Sequence, residues 1–188
     1  MASPYREYYR EQLEAGQRYQ DFIADRLYRE GIVVVSFQSR DYQYKRGENA
    51  LGLEIKLDDK FATTGNFWIE VAEKTDPSNP AYVASGIHRN DKSWLYGIGN
   101  YDEFWIFAVL TLRRFQAKFR PTIQENGTKT SQGFLLNAAD ASQCCARQFD
   151  WRVSPPLVFV QTVADVRPSI APDVNLIFPN VQPSFTDF

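Results

Sequence analysis

The sequence predicts an α/β protein, on three observations. The first is a long N-terminal stretch with apolar residues at helical spacing. The others are a run of near-perfect apolar–polar alternation over residues 51–58 and a second alternating run over 67–72. A period near 3.6 and a period of two belong to different elements, so the chain must combine helices with sheet. Its 188 residues suit one principal domain, able to bury roughly 70% of the surface its unfolded form exposes. With 44% hydrophobic and 23% charged residues, the composition is that of a folded protein and not of a disordered one.

From about residue 4 to Glu30, Leu13, Tyr19, Phe22, Ile23, Leu27 and Tyr28 recur at three- and four-residue spacings, which predicts a helix. Gly16 is a point of possible interruption and Gly31 a plausible stop. Ile32-Val33-Val34-Val35 then reads as a short buried strand. In 51–58, Leu51, Leu53, Ile55 and Leu57 take one face while Gly52, Glu54, Lys56 and Asp58 take the other. Thr63-Thr64-Gly65 turns the chain, after which Phe67, Ile69 and Val71 alternate with Trp68, Glu70 and Ala72. The simplest pairing of these two runs is an antiparallel hairpin. Strands follow at 93–98 and 105–112 around a turn at 99–102, and a short helix within 134–149. Beyond Trp151 the periodicity ends, and six of the ten prolines lie there. The expected organisation is a domain over 1–151 and a Pro-rich extension over 152–188 that packs on the domain or on a partner.

Composition narrows the chemistry. The one histidine, His88, excludes histidine-built metal centres. It leaves one possible triad, yet no nucleophile-elbow pattern surrounds the nearby Ser85. Cys144 and Cys145 are adjacent, so a bridge between them would be strained, and two reduced structural thiols are expected. A net charge of −2 excludes a polycationic coat for nucleic acid. Any such binding would need a dimer partner or local basic groups: Arg89 and Lys92, or Arg113, Arg114, Lys118 and Arg120. No apolar run reaches the ~18 residues of a membrane helix, and the start MASPYREYYREQ has no apolar signal core. The expected location is therefore the cytoplasm, of a cell or of an infected one.

The hairpin carries the chemistry. Glu54, Lys56 and Asp58 share a face of its first strand, and Trp68, Glu70, Ala72 and Lys74 share a face of its second. Paired, the strands would bring Glu54 and Glu70 to ~5–8 Å, where two carboxylates repel unless a cation separates them. Mg²⁺ does this with one or two protein carboxylates, water and phosphate oxygens. A neighbouring lysine can orient the attacking water and offset charge building on phosphorus. The competing reading is a cross-strand salt-bridge ladder on a solvated face, each pair contributing ~0.2–1 kcal/mol.

The order of helix, short strand, acid-bearing strand, turn and apolar-acid-apolar strand resembles the PD-(D/E)XK nuclease superfamily over about residues 17–112. The resemblance implies a restriction-endonuclease-like mixed central sheet flanked by helices, and Mg²⁺- or Mn²⁺-dependent cutting of DNA. It implies Glu54 as first acid, Glu70 as second, the Val71 carbonyl as a further metal ligand, and Asp21 or Gln20 near an accessory position. Two departures stand out. Ala72 occupies the place of the lysine, making Lys56 the best substitute and leaving Lys74 too far along its strand. Gly52-Leu53 also precedes the first acid where proline is usual. A second parse takes Glu54-Ile55-Lys56 as the E-x-K, with Glu48 or Asp41 as first acid; it ranks below the first, because a separation of six residues from Glu48 to Glu54 makes a poor hairpin. The expected function is thus a DNA endonuclease. The alternatives are a catalytically inactive phage or mobile-element interaction protein on the same fold, and a glycosidase using Glu54 and Glu70.

Overall fold

The computed structural model describes residues 4–153. The expected Pro-rich extension therefore lies outside the described residues, apart from Arg152 and Val153. The first helix, α1, spans Pro4–Arg29 without a break at Gly16. Tyr19, Ile23 and Leu27, one turn apart, are fully buried. The helix ends as the sequence predicts: Gly31 takes φ +78°, a conformation that costs a residue without Cβ little. The Ile32 N–H then donates to the Leu27 carbonyl at 2.8 Å, and Gly31 N–H to that of Tyr28 at 3.0 Å.

The segment after α1 is not the buried strand expected. Val33 and Val35 are more than half exposed, only Ile32 and Val34 face the core, and the sole β-pairing is a bridge from Ser36 to Asn49. A run of valines does not by itself say that both faces are covered. Next comes α2 (Arg40–Arg46), whose Tyr42 N–H is accepted by the Ser39 hydroxyl. The chain continues through β1 (Leu53–Leu57), α3 (Phe61–Thr64), β2 (Asn66–Glu73), β3 (Val83–Ala84), a 3₁₀ turn (Gly86–His88), β4 (Leu95–Gly99) and β5 (Glu103–Ala108). It closes with α4 (Val109–Phe119), β6 (Gln124–Glu125), β7 (Ser131–Asn137), α5 (Ala138–Cys144) and β8 (Arg147–Asp150).

The strands form two sheets. The first is mixed, in the order β1-β4-β5-β8 with β1 parallel to β4; the second, β3-β2-β7-β6, is antiparallel. The α/β class is therefore correct, but the expected hairpin is not: β1 and β2 lie in different sheets. Asp58 gives the physical reason. Its carboxylate accepts the N–H groups of Lys60 and Phe61 at the start of α3 and that of Trp68 in β2. A helical turn thereby replaces the tight turn a hairpin needs and carries the chain out of the plane of β1.

Two cores follow from this layering. Leu53, Ile55, Phe104 and Ile106 meet Tyr19, Ile23 and Leu27 of α1 on one face of the mixed sheet. On its other face Tyr96, Ile98, Trp105 and Phe107 meet Phe67, Ile69, Phe134 and Leu136 of the second sheet. The mixed sheet is thus covered on both sides, and the polar face of β1 points at the second sheet instead of at solvent. Two further boundaries move. The strand expected over 105–112 stops at Ala108 and becomes α4, while the helix expected within 134–149 is only α5, set between β7 and β8. Cys144 and Cys145 are unbridged. Among the described residues no helix is long and apolar enough to cross a membrane.

Candidate functional site

Although their strands do not pair, Glu54, Lys56 and Glu70 meet where the two sheets face each other. Alternation sends Leu53 and Ile55 towards α1 and Glu54 and Lys56 the other way. The Glu54 side chain is 1% exposed, and the Lys56 ammonium lies 2.9 Å from its Oε1 and 4.0 Å from Oε1 of Glu70. In β2 the pairing register with β7 shifts between Glu70 and Ala72. Both Glu70 oxygens accept hydroxyl groups, Oε1 from Ser85 at 2.7 Å and Oε2 from Ser131 at 2.8 Å. The Trp68 indole N–H donates to Ser131 Oγ at 3.3 Å.

A second cation enters from the loop after the 3₁₀ turn. Arg89 Nη1 lies 3.4 Å from Glu48 Oε1 and 3.7 Å from Glu54 Oε1, and its Nη2 lies 3.8 Å from Glu73 Oε1. The turn can approach this closely because Gly86 takes φ +52°, and a Cβ there would fall 2.3 Å from the Glu70 carbonyl oxygen. Four carboxylates thus surround two cations. Glu54 Oε1 is the innermost atom: it is shut off from solvent, with charge contacts but no hydrogen bond of good geometry.

Burial and charge oppose one another at each group. Burial pushes the Glu54 carboxyl up, but Lys56 and Arg89 outweigh it and hold the group below its ordinary range. Burial would lower the Lys56 ammonium, yet Glu54 and Glu70 raise it, so Lys56 stays charged at any physiological pH. Glu48 is raised, first by burial and then by Glu54, despite Lys56 and Arg89. The Tyr96 hydroxyl, opposite Glu54 in the β1–β4 register, is raised mainly by burial and stays protonated.

The donor set fits a divalent cation only in part. Among the described residues no group of three or more His, Cys, Asp or Glu side chains is arranged to hold a metal ion. Both Glu70 oxygens are engaged, and the Val71 carbonyl accepts the Ser85 N–H at 3.1 Å. The Val71 carbonyl thus has one structural partner and keeps one lone pair. Glu48 and Glu54 come nearer to a fit: both reach the same guanidinium nitrogen, although the Lys56 ammonium already stands 2.9 Å from Glu54 Oε1. Two carboxylates, with water and phosphate, are what Mg²⁺ asks of a protein.

Other expected site residues lie elsewhere. Asp58 caps α3 and is engaged by three backbone N–H groups. Lys74 donates to the Asn79 carbonyl and sits over the Tyr82 ring, and Asp21 is exposed on α1. Arg89, expected at a phosphate, is bound to the acids. Lys92, Arg113 and Arg114 are exposed, with Arg113 Nε donating to the Ile87 carbonyl. His88 is exposed and bonds Gln116, while Ser85 is turned to Glu70, so these two form no triad. Ser85, Ser131, Glu73 and Tyr96 are the participants that pattern reading missed. The glycine at 86 was the one local sign of close approach. Comparison with known protein families, curated proteins and solved structures finds no match for this chain.

Proposed function

We propose that this chain is a divalent-cation-dependent nuclease acting on DNA, built on a restriction-endonuclease-like core. The reading is carried by one observation: Glu48, Glu54, Lys56, Glu70 and Arg89 converge at a partly open charged cluster whose central carboxylate is fully buried. Burying a carboxylate is costly unless its charge is matched, and a salt-bridge ladder on a solvated face would not incur that cost. The cluster supports the parse in which Glu54-Ile55-Lys56 is the E-x-K and Glu48 the first acid. Glu70 then holds the lysine from the opposite sheet.

In this reading Glu48 and Glu54 hold Mg²⁺ or Mn²⁺. When bound, the cation supplies an activated water and neutralises charge on the scissile phosphate. Lys56, permanently charged, is a poor base. It orients the water by hydrogen bonding and offsets charge developing on phosphorus. Glu70, fixed by Ser85 and Ser131, sets the position of the Lys56 ammonium. Lys92 and Arg114, exposed, would take backbone phosphates in this reading.

Supercoiled, single-stranded and branched DNA incubated with Mg²⁺ or Mn²⁺ tests the reading. Wild type should cut at least one form, and Glu54→Ala and Lys56→Ala should lose at least ~100-fold of that activity. Folded wild type that cuts none of them would overturn it. That outcome would favour the inactive interaction protein, which the full engagement of both Glu70 oxygens and Ala72 in the usual lysine position also suit.

A further inference from the structure

A cavity of about 230 Å³ opens beside the charged cluster, on the α1 side of β1. Its walls are of two kinds. Leu13, Val34 and Ile55 make an apolar surface, and Gln17 and Gln20 of α1 bring carboxamides to it. Glu48 lines the cavity and also belongs to the cluster, so the two spaces adjoin through one side chain. Gln17 and Gln20 stand three apart, on neighbouring positions of one helix face; Gln17 is exposed and Gln20 half-buried at the rim, and neither carboxamide is tied to another protein group among the described residues. Leu13, although apolar, is 52% exposed. Gln43 and Asn49, also in the lining, are already committed to backbone groups of Phe37, Leu51 and Leu53.

Apolar walls with a few convergent polar groups are the ordinary make-up of a small-molecule site. The volume lies below the ~300 Å³ at which drug-sized pockets begin, which suits one flat ring system and not a pair of stacked bases. The free groups are carboxamides, each offering a donor and an acceptor in one plane, as adenine and other bases require at their edges. We infer that this cavity receives a single unpaired nucleobase, next to the phosphate held at the Glu48–Glu54 cluster. The inference rests on the nuclease reading and deepens it. It specifies a substrate with an unstacked base near the cut, in single-stranded DNA or turned out of a duplex.

The test is binding of short oligonucleotides carrying 2-aminopurine, with Ca²⁺ in place of Mg²⁺, for wild type and the Gln17→Leu/Gln20→Leu double variant. Both substitutions keep helix propensity, and circular dichroism confirms folding. Wild type should bind single strands tighter than duplex and raise 2-aminopurine emission as the base unstacks. The double variant should bind single strands ~10-fold more weakly and lose the emission change. Binding by wild type that the double variant leaves unaltered, in affinity and emission, overturns the cavity assignment alone. Failure of wild type to bind any oligonucleotide overturns the nuclease reading with it.

Discussion

Replacing Lys56 by methionine isolates the electrostatics of the cluster, because an unbranched side chain one atom shorter keeps most of the packing and loses the charge. Glu54 would then be buried with only Arg89, at 3.7 Å, beside it. Breaking one partner out of a buried ion pair costs about 3–5 kcal/mol. The Lys56 side chain is 30% exposed and Arg89 remains, so about 2–3 kcal/mol is expected at pH 7. For a domain of this size that is a fall of roughly 5–10 °C in Tm. The pH dependence carries the stronger test. In wild type Glu54 lies below its ordinary value of 4.5. Its contribution to stability is therefore full above that pH and is lost as pH falls through the folded value. In the variant, burial dominates and lifts Glu54 above 4.5, so its penalty is relieved as pH falls. Both trends narrow the gap between the two proteins from pH 7 to pH 4. Urea titrations at the two pH values measure it. A gap of the same size at both, or one below about 0.5 kcal/mol at pH 7, would refute the view that Lys56 balances a buried Glu54 charge.

Gly86→Ala should destabilise by at least about 2 kcal/mol in a thermal melt, since it combines a positive φ with a Cβ placed against the Glu70 carbonyl. It should also lower any DNA cleavage by displacing Ser85 and Arg89. Asp58→Ala removes the acceptor for three backbone N–H groups and should cost about 2–4 kcal/mol of unfolding free energy. The folded fraction should still cleave DNA. Because Glu48 is raised above its ordinary 4.5 in the metal-free protein and must be ionised to hold a cation, Mg²⁺ binding should weaken as pH falls towards that range and should release protons. Calorimetry in two buffers of different ionisation enthalpy measures the release, and binding that neither weakens from pH 7 to pH 5 nor changes in Glu48→Gln would remove Glu48 from the metal site.

What could be read from the sequence was whatever one element determines. The α1 stripe and its glycine stop, the strand character of 53–57 and 66–73, and the shared face of Glu54 and Lys56 all follow from local period. Partnership did not follow. Alternation at 51–58 fixes two faces but does not say that the polar one is covered, and only the fold puts β2 behind it. The turn between the two runs looked like a hairpin because the Asp58 cap depends on where the Trp68 N–H ends up in space. Ser131 joins Glu70 from 61 positions away, a distance at which no spacing rule applies. Charge alone makes Arg89 a phosphate contact, whereas its acidic surroundings come from three separate segments.

The division of β1 and β2 between sheets also bears on how the chain folds. Each sheet is zipped by long-range pairings, β1 with β4 and β2 with β7, and such pairings form slowly. Until the sheets dock, Glu54 and Glu70 sit on separate units and Lys56 can neutralise only its own strand neighbour. Substitutions at the cluster should then act chiefly on the unfolding rate and leave the refolding rate nearly unchanged. Substitutions that weaken a pairing within one sheet, such as that of β2 with β7, should slow refolding instead.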